Sequence, residues 1–258
     1  MNFAQKHQPT NVKDLVFRDA RLGRIISEYA AGLRHEHLLL EGPTSSGKSI
    51  AASMIVKEQL SATLGSDYIS TYHGQGFDHR TVVEIQGDWN IQMMSGAAYS
   101  VIDEVDFASA EGRRQIRKLI DGKSYGTLIC TTNFLNKLEH AFVSRFRVEH
   151  VAVPVASDWH SRALQILQAE GHAVTMAQVR RLMSDFSGHA RDFMRELEDV
   201  HLGLLSAQSA SRASASTSTD SYQVSTTEKP SIVPNGVQLA SPARPKSLPP
   251  AGNGQTTS

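Results

Sequence analysis

The stretch with the most chemical content is Gly42-Pro43-Thr44-Ser45-Ser46-Gly47-Lys48-Ser49. A Gly, four residues and then Gly-Lys-Ser is the spacing of a phosphate-binding loop, provided a buried strand precedes it and a helix follows. The apolar run from His37 to Glu41 supplies the strand, and Ile50 to Val56 reads as the helix. A loop so placed turns successive backbone N–H groups, and the positive end of the helix, onto a polyphosphate. Gly42 and Gly47 let the backbone bend and approach closely, and Pro43, Thr44, Ser45 and Ser46 form the cradle between them. Lys48 is expected at the β- and γ-phosphates of a nucleotide, and the Ser49 hydroxyl on Mg²⁺.

Further residues fit the same chemistry. Val101-Ile102-Asp103-Glu104 ends an apolar run in two carboxylates about fifty residues after the loop. Asp103 suits the water shell of Mg²⁺. Glu104 suits the attacking water, whose proton a carboxylate accepts. Asn133 closes the next strand, where a neutral amide orients water without adding charge, although Asn also serves as a turn residue. Arg145 is suited to stabilising charge on a transferred phosphoryl group. If it points away from its own site it serves a neighbouring subunit, and Arg147 competes for the role. Gly188-His189-Ala190-Arg191 opens the last helix. Arg191 there either contacts the γ-phosphate or pairs with Asp192 or Glu196.

The elements that must hold these residues follow a regular order. Strands are expected at His37–Glu41, Asp67–Thr71, Ala98–Ile102, Gly126–Thr131 and Val148–Val153, with helical patterns between them. Alternating strands and helices predict an α/β domain over residues 1–154, with a parallel sheet covered on both faces. Before it, Lys6 to Pro9 reads as extended, and Asp19 to Leu33 as a helix. After Pro154, helices at Trp159–Ala169, Met176–Phe186 and Ala190–Leu205 predict a three-helix lid domain over 155–205, punctuated by Gly171 and Gly188. Residues 206–258 are rich in Ser, Thr, Ala and Pro and cannot bury enough apolar surface to offset chain entropy, so a disordered tail is expected. Gln238-Leu239 has the start of a sliding-clamp peptide but no aromatic anchor, and plain linker is the preferred reading.

Composition narrows the function classes. Lys plus Arg and Asp plus Glu both number 26 in 258 residues, so no global field draws the chain to nucleic acid or an anionic membrane. A lone cysteine, Cys130, excludes disulfides within the chain and a cysteine-based zinc site. His35 and His37 alternate without acidic or cysteine company, which argues against a metal there. No apolar run approaches the roughly 20 residues that span a bilayer, and the first residues lack the apolar stretch of a signal peptide. A soluble, intracellular protein is expected, cytoplasmic or associated with the nucleoid.

Together these motifs resemble the AAA+ ATPases and, within them, the clamp-loader small subunits of the replication factor C type. The resemblance covers residue 6 to about residue 203. Lys6-x-x-Pro9 followed by Val12 to Val16 is similar to the family's N-terminal segment, which packs on the adenine and so implies base contacts by Pro9 and Val16. Asp103-Glu104-Val105-Asp106 through Asp121 aligns without a gap and places Arg117-Lys118 on the family's paired basic residues. Thr131-Thr132-Asn133 resembles sensor 1, Ser144-Arg145 the Ser-Arg-Cys finger, and Gly188 to Arg191 sensor 2. Counting back from Val82-Val83 places His73 near the polar residue that restrains the catalytic glutamate until DNA binds. Two departures stand out: Phe146 replaces the finger's Cys, and the collar domain that holds clamp-loader pentamers together is missing.

The resemblance implies a Mg²⁺-dependent ATPase acting as a homo- or hetero-oligomer on DNA in replication, with a sliding clamp or another replication protein as partner. Arg113, Arg114, Arg117 and Lys118 are the local candidates for DNA-phosphate contacts, against the plainer reading of a solvated helix face. A helicase loader or a transposition-type ATPase is the alternative within the class. A nucleotide-gated binding module with little hydrolysis is the alternative outside it. Protein unfolding fits less well, since no aromatic pore loop precedes Asp103.

Overall fold

The computed structural model describes residues 2–64, 69–122 and 125–217. Five strands form one parallel sheet: β1 (Leu38–Glu41), β2 (Thr71–His73), β3 (Ala98–Asp103), β4 (Gly126–Thr132) and β5 (Arg147–His150), in the spatial order β2-β3-β4-β1-β5. The expected parallel α/β sheet is therefore present. Its central strands β3 and β4 are buried along almost their whole length because both faces are covered.

Alternation along β1 sorts the core into two halves. Leu38 and Leu40 pack with Leu22 and Ile26 of α2 (Ala20–Ala30) and with Ala51 and Ile55 of α3 (Lys48–Leu64). Leu39 faces the other way, with Ile85 and Trp89 of α4 (His79–Gln92) and with Ile116 and Leu119 of α5 (Ala110–Asp121). Three of the four covering helices start where a side chain satisfies orphan N–H groups: Asp19 caps α2, Asp78 caps α4 and Ser109 caps α5. Phe142 of α6 (His140–Val143) closes the second half.

The lid consists of α7 (Ala156–Ala169), α8 (Met176–Leu182) and α9 (Ala190–Thr217). Its core is aromatic. Trp159 stacks on Phe193 with ring centroids 4.3 Å apart, and its indole N–H donates to the Gly188 carbonyl at 2.8 Å. Phe3, from the single helical turn α1 (Phe3–Lys6), packs into this core and stacks on His201.

Several boundaries differ from expectation. The second strand lies later than Asp67–Thr71, because its pairing runs Thr71↔Val101 to His73↔Asp103; residues 67 and 68 of that reading fall outside the described residues. The last strand ends at His150 rather than Val153, and the second lid helix ends at Leu182 rather than Phe186. The N-terminal segment is extended only after the turn at Phe3–Lys6. Most visibly, α9 continues to Thr217, where composition alone predicted disorder from Ser206. Extending a helix that packing has already nucleated needs no new nucleus, and alanine-rich sequence favours it. Residues 218–258, including Gln238-Leu239, lie outside the described residues. No described helix is long and apolar enough to cross a membrane.

Candidate nucleotide site

The phosphate loop leaves β1 at its C-terminal end and enters α3, as its spacing requires. At Gly42 φ is +150°, and a Cβ there would stand 2.3 Å from the Val151 carbonyl oxygen, so only glycine fits against β5's continuation. Ser45 and Gly47 also adopt positive φ, the latter at +95°, a backbone curl of the kind that turns N–H groups toward an anion. The Lys48 ammonium is buried inside that curl and donates to the carbonyls of Gly42 (2.9 Å) and Pro43 (2.8 Å). Burial lowers its pKa, and the carboxylates of Asp103, Asp106, Glu104 and Glu41 oppose that shift. A buried cation at the first turn of a long helix suits an anionic ligand.

Ser49 Oγ donates to Asp103 Oδ1 at 2.8 Å, bringing the hydroxyl of α3 onto the carboxylate that ends β3. Thr131 of β4 donates to the same Asp103 oxygen and accepts the Glu104 N–H at 2.9 Å. Ser49 and Asp103 are hard oxygen donors at the mouth of an anion cradle, a set that suits Mg²⁺. Glu104 takes the left-handed conformation, φ +54°, which is uncommon for a non-glycine residue and concentrates at functional sites. Gly74 permits it. The Gly74 N–H donates to the Asp103 carbonyl at 2.7 Å, and a Cβ at Gly74 would lie 2.2 Å from the Glu104 carbonyl oxygen.

The Glu104 side chain meets His73, with Nε2 3.0 Å from Oε2. His73 Nδ1 accepts the Gln75 N–H at 3.2 Å, so a neutral ring carries its proton on Nε2, facing the carboxylate. Asn133 is held from behind: Asp106 Oδ1 accepts both the Thr132 hydroxyl (2.8 Å) and the Asn133 N–H (3.2 Å). Thr44, Ser45, Gly47, Lys48, Ser49, Glu104, Asn133 and Arg191 line one cavity of about 290 Å³. Arg191 has no ion pair among the described residues, because Arg195 takes Asp192 and Glu196 instead. A second cavity, about 230 Å³ and mostly apolar, adjoins it at Ser46 and Gly47 and includes Pro9, Val16, Ile50 and Phe193 in its walls. Arg162 of α7 pairs with Asp14 at 2.8 Å across its rim, joining the lid to the N-terminal segment.

Arg145 is elsewhere. It forms a two-pronged ion pair with Asp121 (2.8 and 2.7 Å), which raises its pKa, and it lines neither cavity. Arg147 is bound to Glu149, a nearly buried carboxylate, and to Glu36. Of the four α5 cations, Arg113 pairs with Glu139 and Arg114 with Glu111, while Lys118 is exposed. The Nε of Arg117 is buried with no hydrogen-bond partner among the described residues. Asp106 and Gly74 complete the site without a role expected from the sequence, and Thr131, expected only as part of the segment resembling sensor 1, also holds Asp103 and the Glu104 N–H; the signals were the polar pair at the end of β4 and a third carboxylate after Glu104.

No family model matches the chain, and no curated protein matches it. Among solved structures it is similar to the crystal structure of the FIGL-1 AAA domain in complex with ADP, at 14% identity and a TM-score of 0.54. That likeness covers 76% of this chain and 74% of the other. At this identity the likeness speaks for the fold, and the chain has the α/β architecture of an AAA domain.

Proposed function

We propose that the chain binds ATP with Mg²⁺ and hydrolyses it, in a site that a neighbouring subunit completes. The observation that carries this reading is the single cavity walled by Lys48, Ser49, Glu104, Asn133 and Arg191, with Arg145 outside it. The phosphate loop and Lys48 hold the β- and γ-phosphates, and the apolar cavity beside Pro9 and Val16 takes the base. Ser49 and Asp103 would hold Mg²⁺, which would supply positive charge against the negative charge that develops on the phosphates. Glu104 accepts the proton of the attacking water while Asn133 orients that water toward the γ-phosphorus. Arg191 reports γ-phosphate loss to the lid.

The position of Arg145 supports a role in another subunit. It sits beside the N-terminal ends of β4 and β5, whereas the cavity opens at their C-terminal ends; seven residues of β4 separate the two ends by roughly 20 Å. A head-to-tail assembly brings one copy's Arg145 to the next copy's γ-phosphate. Sedimentation velocity with and without a slowly hydrolysed ATP analogue tests this reading. Nucleotide is expected to convert the chain into a defined oligomer, and a chain that stays monomeric at saturating analogue contradicts it.

The replication-related role, on DNA and with a sliding clamp or similar partner, rests on the sequence resemblance; exposed Lys118 supports phosphate contacts more than Arg113 or Arg114, whose charges are compensated within the chain. A second reading, a nucleotide-gated module with little hydrolysis, is favoured by the His73 contact that holds Glu104. His73→Ala separates the two. If His73 restrains the glutamate, basal phosphate release rises by up to about tenfold, the low end of what loss of one hydrogen bond to a charged group permits, as both side chains are partly exposed. Unchanged or reduced turnover removes His73 from that role.

A further inference from the structure

The two turns that follow β3 and β4 carry an exposed aromatic pair beside the cavity. Phe107 ends the turn Val105–Phe107 and is 53% exposed; Phe134 follows Asn133 and is 46% exposed. The Lys137 ammonium lies 3.9 Å from the Phe134 ring centroid and 6.0 Å from that of Phe107, and it has no ion pair among the described residues. Asp106 fastens the two turns together through Thr132 and Asn133, so this ledge is fixed to the residues that handle water.

We propose that the ledge seats the next copy of this chain and that Lys137 takes the Asp121 carboxylate which Arg145 releases on reaching the γ-phosphate. The inference rests on the head-to-tail reading above. A polynucleotide fits the ledge poorly: Asp103, Glu104, Asp106 and Glu139 are all within a few residues of it, and the nearby Arg113 is neutralised by Glu139. An apolar surface bearing one acidic group fits it well. The chain's own opposite end has that composition, with Tyr125 84% exposed and the Asp121 side chain 52% exposed. Asp121 is moreover the partner of Arg145, so any stacking that delivers Arg145 to the cavity delivers Asp121 in the same footprint and leaves it without its cation.

The test is a heterologous charge swap in the full chain, followed by sedimentation velocity with a slowly hydrolysed ATP analogue. Lys137→Glu and Asp121→Lys are each expected to weaken association about tenfold or more, since like charges then meet across every contact. An equimolar mixture is expected to assemble, because each variant's altered surface meets a complementary one and the remaining contacts are wild type. Nucleotide binding by each variant checks folding, as neither residue lines a cavity. Assembly of either single variant at wild-type affinity overturns the inference, and so does a mixture that stays dissociated while wild type assembles. A wild-type chain that never assembles overturns the oligomeric reading, and this inference falls with it.

Discussion

Glu104→Gln is expected to lower ATP turnover about 10²–10⁴-fold, the usual contribution of a positioned general base. Nucleotide affinity should change little, because the phosphate grip comes from the loop and Lys48, which the substitution leaves alone. The replacement keeps the shape of the side chain but removes the carboxylate that would accept the proton of water. The backbone need not move, since the left-handed conformation at φ +54° is held by the Thr131 hydroxyl on the residue's own N–H and by the close approach of Gly74. Steady-state phosphate release and fluorescent-nucleotide titration on the same preparation read the two quantities separately. Turnover that survives undiminished removes Glu104 from the chemistry. Loss of binding in parallel would mean that the substitution has disturbed the loop instead.

What was legible in the sequence was local. The phosphate loop is a contiguous pattern between a strand and a helix, and Asp103-Glu104 is an acidic pair at the end of an apolar run, so both read directly. The residues that hold them in place did not read, because their partners are distant along the chain. Thr131 reaches Asp103 and the Glu104 N–H from the neighbouring strand, 27 residues from Glu104, and Asp106 reaches Asn133 across the same gap. Gly74 matters only because β2 pairs with β3 in the register that sets His73 beside Asp103. Apolar content drew the expected strand toward Ile69, but pairing selected Thr71–His73. Local periodicity cannot choose a register that only the partner strand defines. At α9 the error ran the other way: burial arguments ended the helix where apolar residues thin out, but helix propagation does not require burial at every turn.

Arg145→Ala is expected to lower hydrolysis by about 10³–10⁵-fold if the guanidinium stabilises the transition state from a neighbour, the range reported for such arginines. Alone, that loss does not distinguish a residue acting in trans from one acting on its own site. Mixing does. Lys48→Ala removes the buried ammonium of the phosphate loop and should abolish turnover in its own cavity, yet it keeps an intact Arg145. In a random head-to-tail mixture about one contact in four joins the intact cavity of an Arg145→Ala chain to the intact arginine of a Lys48→Ala chain. Activity should therefore reappear at about a quarter of the wild-type level from two inactive preparations. Excess Lys48→Ala chain should raise turnover per Arg145→Ala chain further, as more intact cavities gain a complete neighbour. An arginine acting within its own chain gives no recovery at any ratio. The present pairing of Arg145 with Asp121 is no obstacle, because Asp121 is exposed and ion pairs at such surfaces contribute little to stability. Arg147 would make a poorer finger, since withdrawing it strips the nearly buried Glu149 of one of its two cations, leaving only Arg21. The same mixing experiment with Arg147→Ala should show no recovery of this kind, its defect being one of stability in its own chain.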